Sequence, residues 1–195
     1  MNKIIALAGS TRTESYNKKI LKVGIYGARE AGAEVTVIDL RDYPMPLYDG
    51  DLEEKEGIPD NAKKLKEIFK LNHGLLLALP EYNSSFSGVF KNTIDWVSRQ
   101  VAGESPLECF SGKVAALMSA SPGGLGGIRG LVHARAMLEN IEVIVMPEQI
   151  CVGKVADILD DDGNLKDEKI KKSIEKLGVN LVDFTLRVKG FYSKE

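Results

Sequence analysis

Cysteine and histidine are scarce in this chain: Cys109, Cys151, His73 and His133 are the only ones among its 195 residues. The cysteines form no C-x-x-C pair and neither lies near a histidine, so a metal centre or dithiol motif is not expected and a reduced, cytoplasmic protein is. No G-x-S-x-G elbow is present and neither histidine falls in a recognisable triad, which excludes the common hydrolase arrangements. His73 reads as an ordinary strand-end residue. The formal net charge is only -2 and no Lys/Arg stripe occurs, so nucleic-acid binding is not expected. No apolar stretch approaches the length that crosses a bilayer, and no membrane role is expected. The short apolar run after Lys3 is too brief for a signal peptide and leads straight into a polar loop. That loop holds a single glycine, Gly9, so the dinucleotide fingerprint G-x-G-x-x-G is absent, and no Walker A lysine follows.

What is present is an ordinary globular composition, 44% hydrophobic and 28% charged, in a length that suits one domain over residues 1–195. The opening stretch organises the rest. Ile4 to Ala8 is a short continuous apolar run closed by Gly9, which suits a strand buried on both faces of a parallel sheet. Ser10, Thr11, Arg12, Thr13, Glu14, Ser15, Tyr16 and Asn17 follow, and then Ile20, Val23, Gly24, Gly27, Ala28 and Ala31 recur at helical spacing, several small enough to let a helix lie close against a sheet. The polar loop therefore sits between a strand and a helix N-terminus, where unpaired N–H groups and the helix dipole favour an anion. Ser10, Ser15 and Asn17 can add hydrogen bonds and Arg12 a charge, so a phosphate suits the loop. Ser15 acting only as an N-cap, with Arg12 solvated, is the plainer alternative.

Further strands are expected at Glu34–Asp39, Gly74–Leu79, Lys113–Ser119 and Glu142–Met146, with helices before, between and after them. Asp39 reads as a solvated strand end. Leu40 to Asp60 reads as a long acidic loop punctuated by Pro44, Pro46 and Pro59. Pro80, Glu81, Tyr82, Asn83, Ser84 and Ser85 follow the third strand, ahead of a helix marked by Phe86, Val89, Phe90, Ile94 and Val97 and reaching about Gln100. This second loop offers an aromatic surface and amide and hydroxyl groups that suit a flat heteroaromatic ring. A third loop, Ala120 to Gly127, follows the fourth strand, and its four glycines let main chain pass against a ligand. A last helix is expected from about Asp167 to Val188. Together these elements give an α/β, three-layer doubly wound fold with a five-stranded parallel sheet in the order 2-1-3-4-5. In that order strands one, three and four are adjacent, so the three loops meet at the switch point where FMN binds in flavodoxin-like sheets.

Three blocks carry a resemblance: Gly9-Ser10-x-Arg12-x-x-Ser15-x-Asn17; Pro80-Glu-Tyr-Asn-Ser84 with Gly88, Lys91, Asn92, Asp95 and Trp96 behind it; and Ser121-Pro-Gly123 with Gly126 and Gly127. In order and spacing the chain resembles the NADPH-dependent FMN reductases of flavodoxin-like fold, a family that includes quinone, azo-dye and chromate reductases. The resemblance implies an FMN whose phosphate lies on Ser10, Arg12, Ser15 and Asn17, with Tyr16 alongside. Pro80, Glu81, Tyr82, Asn83 and Ser84 would line the ribityl chain and ring, and Ser119, Ser121, Gly123 and Gly124 would border its other side. It also implies NADPH or NADH as electron donor, a small-molecule acceptor, a ping-pong exchange at the flavin with no catalytic acid or base, and a homodimer or homotetramer. The helix carrying Lys91, Asn92, Asp95 and Trp96 would lie near a subunit interface, with Trp96 covered either by a partner or by the chain's own loops. Glu81 is expected to be a structural or solvated carboxylate. Two other readings share these features: a flavodoxin-type electron carrier, and a protein that holds FMN without turnover.

Overall fold

The computed structural model describes residues 2–192. Its strands and helices run, in chain order, β1 (Lys3–Ala8), α1 (Tyr16–Glu30), β2 (Glu34–Ile38), α2 (Gly50–Glu56), α3 (Asp60–Lys70), β3 (Gly74–Ala78), β4 (Glu81–Tyr82), β5 (Ser85–Phe86), α4 (Gly88–Val97), β6 (Val114–Ala120), α5 (Ile128–Asn140), β7 (Ile144–Val152) and α6 (Glu168–Tyr192). The main sheet has five strands in the order β2-β1-β3-β6-β7, every pairing parallel. Counting only these strands gives 2-1-3-4-5, the expected flavodoxin-like order. The three central strands, β1, β3 and β6, are the continuously apolar runs, and nearly every residue in them is buried.

Side-chain alternation divides the core in two. Ile4, Ala6, Ala8, Leu76, Ala78, Ala116 and Met118 pack under α1 and α6. Ile5, Leu7, Leu75, Leu77, Ala115 and Leu117 pack under α3, α4 and α5. The small residues of α1 serve two surfaces: Gly24 lies against Met118 and Leu76 of the sheet, whereas Gly27 lies against the backbone of Glu175 in α6, where a Cβ would overlap the carbonyl. A helix pair this close is what Gly27 permits, a use of small residues beyond helix-on-sheet packing.

Several boundaries differ from the sequence reading. The fifth strand runs to Val152 because β7 bulges between the Ala115 and Leu117 pairings, and Pro147, which has no N–H to donate, sits in that bulge. The helix after the second loop stops at Val97. The Leu40 to Asp60 segment contains a 3-10 turn, Leu40–Asp42, as well as α2. Trp96 is fully buried in a small cluster with Ile58 and Ala62, packed by Met45, Tyr48 and Leu52. Its Nε1 donates to the Pro46 carbonyl at 2.8 Å. The indole is thus covered by the chain's own loop and needs no partner to bury it. Among the described residues, no helix is long and apolar enough to cross a membrane.

Candidate functional site

The first loop leaves β1 with Gly9 N–H donating to the Ala78 carbonyl at 2.9 Å, which locks the ends of β1 and β3 together. Ser10, Ser15 and Asn17 are buried, while Arg12 is exposed and its guanidinium bonds no described side chain. Ser10 Oγ accepts from the Arg12 N–H at 3.3 Å. Ser15 stands at the N-cap of α1 with extended backbone and makes no side-chain capping bond. Helix geometry leaves the first-turn N–H groups without intrahelical acceptors, so an uncapped end beside buried hydroxyls and an uncommitted guanidinium is chemically an anion site. Asn17 has partners in the third loop's strand as well. Its carboxamide donates to the Ala120 carbonyl and accepts from the Ala120 N–H, both at 3.0 Å.

Asp39 is not a free strand end. Both its carboxylate oxygens accept from Lys18 Nζ, at 2.9 and 2.7 Å, and Arg41 adds its Nη2 at 2.9 Å. Burial would raise the Asp39 pKa, but the bonds from Arg41 and Lys18 hold it at about 2. Arg41 also donates to Thr13 Oγ1 at 3.0 Å, tying the first loop to the end of β2. A cleft of about 800 Å³ runs beside this network along the outer face of α1, past Lys22 and Tyr26. It meets the first loop only at Thr13 and Glu14, and Ser10, Arg12 and Ser15 do not line it, so the rim loops carry the candidate site.

The second loop is a tight hairpin, missed in the sequence, in which Glu81 pairs with Phe86 and Tyr82 with Ser85. Its two turn residues, Asn83 at φ 50° and Ser84 at φ 65°, are both left-handed, as a two-residue hairpin turn requires. Glycine usually fills such a turn, and its absence hid the hairpin. Tyr82 is exposed at the tip. The Glu81 carboxylate, by contrast, is tucked under α5. It accepts from the N–H groups of Arg129 and Gly130 at 3.0 and 3.2 Å and from Arg129 Nε at 2.8 Å. Burial pushes its pKa up, but Arg129 and the two backbone N–H groups outweigh that and lower it. The N-cap of α5 is Gly127, which has no side chain to offer. Glu81 supplies the missing acceptor, which makes it a structural carboxylate rather than a proton donor. Ser87, also unanticipated, donates to the Gly9 carbonyl at 2.5 Å and accepts from the Phe90 N–H at 3.3 Å. It caps α4 and joins the first two loops; its position just before an apolar helical stripe is an N-cap signal.

The third loop folds back on residues 152–155. Ser121 N–H donates to the Val152 carbonyl at 3.1 Å, and the Gly123 carbonyl accepts from the Lys154 N–H at 3.1 Å and from Ser121 Oγ at 3.2 Å. The glycines divide by role. A Cβ on Gly127 would overlap Ser119 Oγ, and one on Gly126 would meet the Cys151–Gly153 backbone at 2.8 Å; both also have positive φ. Those two admit the chain's own packing. Gly123 and Gly124 are exposed and put no side chain between their backbone and the rim, although their carbonyls are turned inward, that of Gly123 to the bonds just described and that of Gly124 against Gly153. Ser119 is fully buried, its hydroxyl beneath Gly127 and without a hydrogen-bond partner. Its side chain lies inside the wall rather than on its open side.

The three loops thus stand at the carboxyl ends of β1, β3 and β6, three adjacent strands, where open α/β sheets receive ligands. The residues fit a flavin mononucleotide: an uncapped helix end, hydroxyls and a guanidinium for a phosphate, and an exposed tyrosine and bare glycine backbone for a ring. Fold and rim together define the class, a flavodoxin-like α/β protein built to take a mononucleotide.

Comparison with known proteins gives the family. Residues 2–157 match the family described as NADPH-dependent FMN reductase. The chain is 32% identical over 189 residues to an NAD(P)H-dependent FMN reductase of Pseudomonas aeruginosa, covering 96% of this chain and 97% of that one. It is 32% identical over 193 residues to an NADPH:quinone oxidoreductase of Arabidopsis thaliana, covering 96% and 94%. The structure of FerB, a flavoenzyme NAD(P)H:(acceptor) oxidoreductase of Paracoccus denitrificans, superposes with a TM-score of 0.80 at 28% identity, covering 96% and 98%. The chain belongs to the NADPH-dependent FMN reductase family and is an FMN-dependent oxidoreductase.

Proposed function

We propose that this protein passes electrons from NADPH or NADH through one FMN to a small acceptor such as a quinone, free flavin, azo compound or metal oxyanion. The observation that carries the reading is the uncapped N-terminus of α1 beside Ser10, Ser15 and the uncommitted Arg12, on the same rim as the bare Gly123–Gly124 backbone. Ser10, Arg12 and Ser15 hold the phosphate together with the N–H groups of Tyr16 and Asn17. Pro80 to Ser84 line one side of the flavin, and Ser121, Gly123 and Gly124 the other. FMN, when bound, would supply the redox chemistry between nicotinamide and acceptor, while the chain's residues would bind and orient it and tune its potential. Glu81 holds the second and third loops in register by anchoring the hairpin to α5. We further propose a homodimer or homotetramer, supported by the exposed apolar residues Leu125, Ile128 and Val132 on and before the first turns of α5; light scattering would test this.

The test of function is direct. The purified full chain, saturated with FMN without oxygen, is mixed with NADPH and with NADH in turn. Bleaching of the flavin by at least one of them, reversed by a quinone, is expected. A stably bound flavin that neither nicotinamide bleaches would overturn the reductase reading and leave an electron carrier.

A further inference from the structure

We propose that Asn17 is a positioning residue: its carboxamide takes the place of a missing strand at the end of β6 and so sets the distance between the phosphate loop and the glycine-rich wall. This inference rests on the flavin site proposed above.

The argument begins with the backbone of β6. Met118 turns its carbonyl to β3, where it accepts from the Leu79 N–H at 2.9 Å. Ser121 turns the other way and donates to the Val152 carbonyl. Strand alternation therefore points Ala120, two residues beyond Met118, to the β3 side. There the ladder has ended, since the last β3–β6 pair is Ala78 with Met118, and the chain has left for Pro80 and the hairpin. Ala120 is itself buried, so its N–H and C=O both need partners. Asn17 supplies both at 3.0 Å from the first turn of α1, while buried itself. A side-chain amide has the same donor and acceptor as a peptide unit, and here it continues the sheet by one rung.

The consequence is mechanical. The N–H groups that would meet the phosphate, at Tyr16 and Asn17, and the loop that would border the ring, from Ser121 onward, are joined by this one side chain. Preorganising two walls raises affinity by removing the cost of ordering them on binding. Asn17 would then act on the whole flavin, whereas Arg12, whose exposed guanidinium bonds no described residue, would act on the phosphate alone. Nδ2 retains one N–H beyond its bond to Ala120, so a direct bond to phosphate is the competing role.

Riboflavin, which has no phosphate, separates the two. The full chain and its Arg12→Ala, Asn17→Ala and Asn17→Asp variants are titrated with FMN and with riboflavin, with melting temperatures recorded alongside. Asn17→Asp preserves volume and the acceptor for the Ala120 N–H, and serves if the alanine variant does not fold. Asn17→Ala removes both hydrogen bonds, and Asn17→Asp removes one and sets a carboxylate oxygen against the Ala120 carbonyl; each is expected to weaken riboflavin about tenfold, and FMN by at least as much. Riboflavin affinity unchanged in a folded Asn17 variant would overturn the positioning role, whether or not FMN affinity falls. The phosphate assignment is judged separately: Arg12→Ala is expected to weaken FMN and leave riboflavin unchanged. FMN affinity unaffected in that variant would remove the assignment on which the inference rests.

Discussion

Replacing Glu81 by glutamine keeps the side chain's size and removes its charge, which isolates what the carboxylate does beneath α5. One Glu81 oxygen serves the Arg129 and Gly130 N–H groups and the other the Arg129 guanidinium. Glutamine can present oxygen to only one of these sets and must turn its own N–H groups toward donors at the other. Losing about half of a charge-assisted set, with a buried donor left unpaired, costs about 1.5–3 kcal/mol. For a chain of this size that is a fall in Tm of about 4–9 °C. The pH dependence follows from the direction of the shift. The folded pKa of Glu81 is lowered, so its contribution is present above the unfolded carboxylate pKa of about 4.3 and is lost as pH falls through the folded value. Thermal unfolding of both proteins by circular dichroism, at pH 7 and again near pH 3, is the assay. A Tm gap at pH 7 that narrows in acid is expected. No gap at pH 7, or an equal one at pH 3, would refute the reasoning.

Glu104→Gln should cost about 3 kcal/mol in urea unfolding, because Glu104 forms a buried ion pair with Lys66 at 2.8 Å and a second with Lys70 at 3.0 Å, and breaking a buried pair leaves a charge uncompensated. Gly127→Ala should destabilise by about 2 kcal/mol or more, since the new Cβ meets Ser119 Oγ at a positive φ; an unchanged melting temperature would count against the packing of the third loop. Trp96→Phe should cost about 1 kcal/mol through loss of the Nε1 bond to Pro46 and speed proteolysis within residues 43–49, whereas a change in oligomeric state alone would mean that the indole contacts a partner.

How far the sequence reveals this molecule depends on whether a feature is local. The central strands were readable because Ile4–Ala8, Gly74–Leu79 and Val114–Ser119 are apolar on both faces, and their order placed the three loops together. Features that hinge on one residue meeting another far along the chain were not. Asn17 looks like a phosphate ligand in its motif, and only the fold shows Ala120 waiting for it. Asp39 reads as solvated until Lys18 and Arg41 close on it. α2 escaped notice because Asp51 to Glu56 is charged apart from Leu52, so no apolar stripe forms; Asp49, which caps it through the Asp51 N–H at 2.9 Å, was the available signal. The hairpin at Glu81 to Phe86 was hidden by Asn83-Ser84 where glycine is usual, and the extension of β7 by Pro147.

The assignment of three loops to a single flavin is tested most directly by titrating the purified full chain with FMN and following flavin fluorescence. Saturable quenching that ends at one FMN per chain is expected. Fluorescence that stays proportional to added FMN, with no saturable phase, would contradict it.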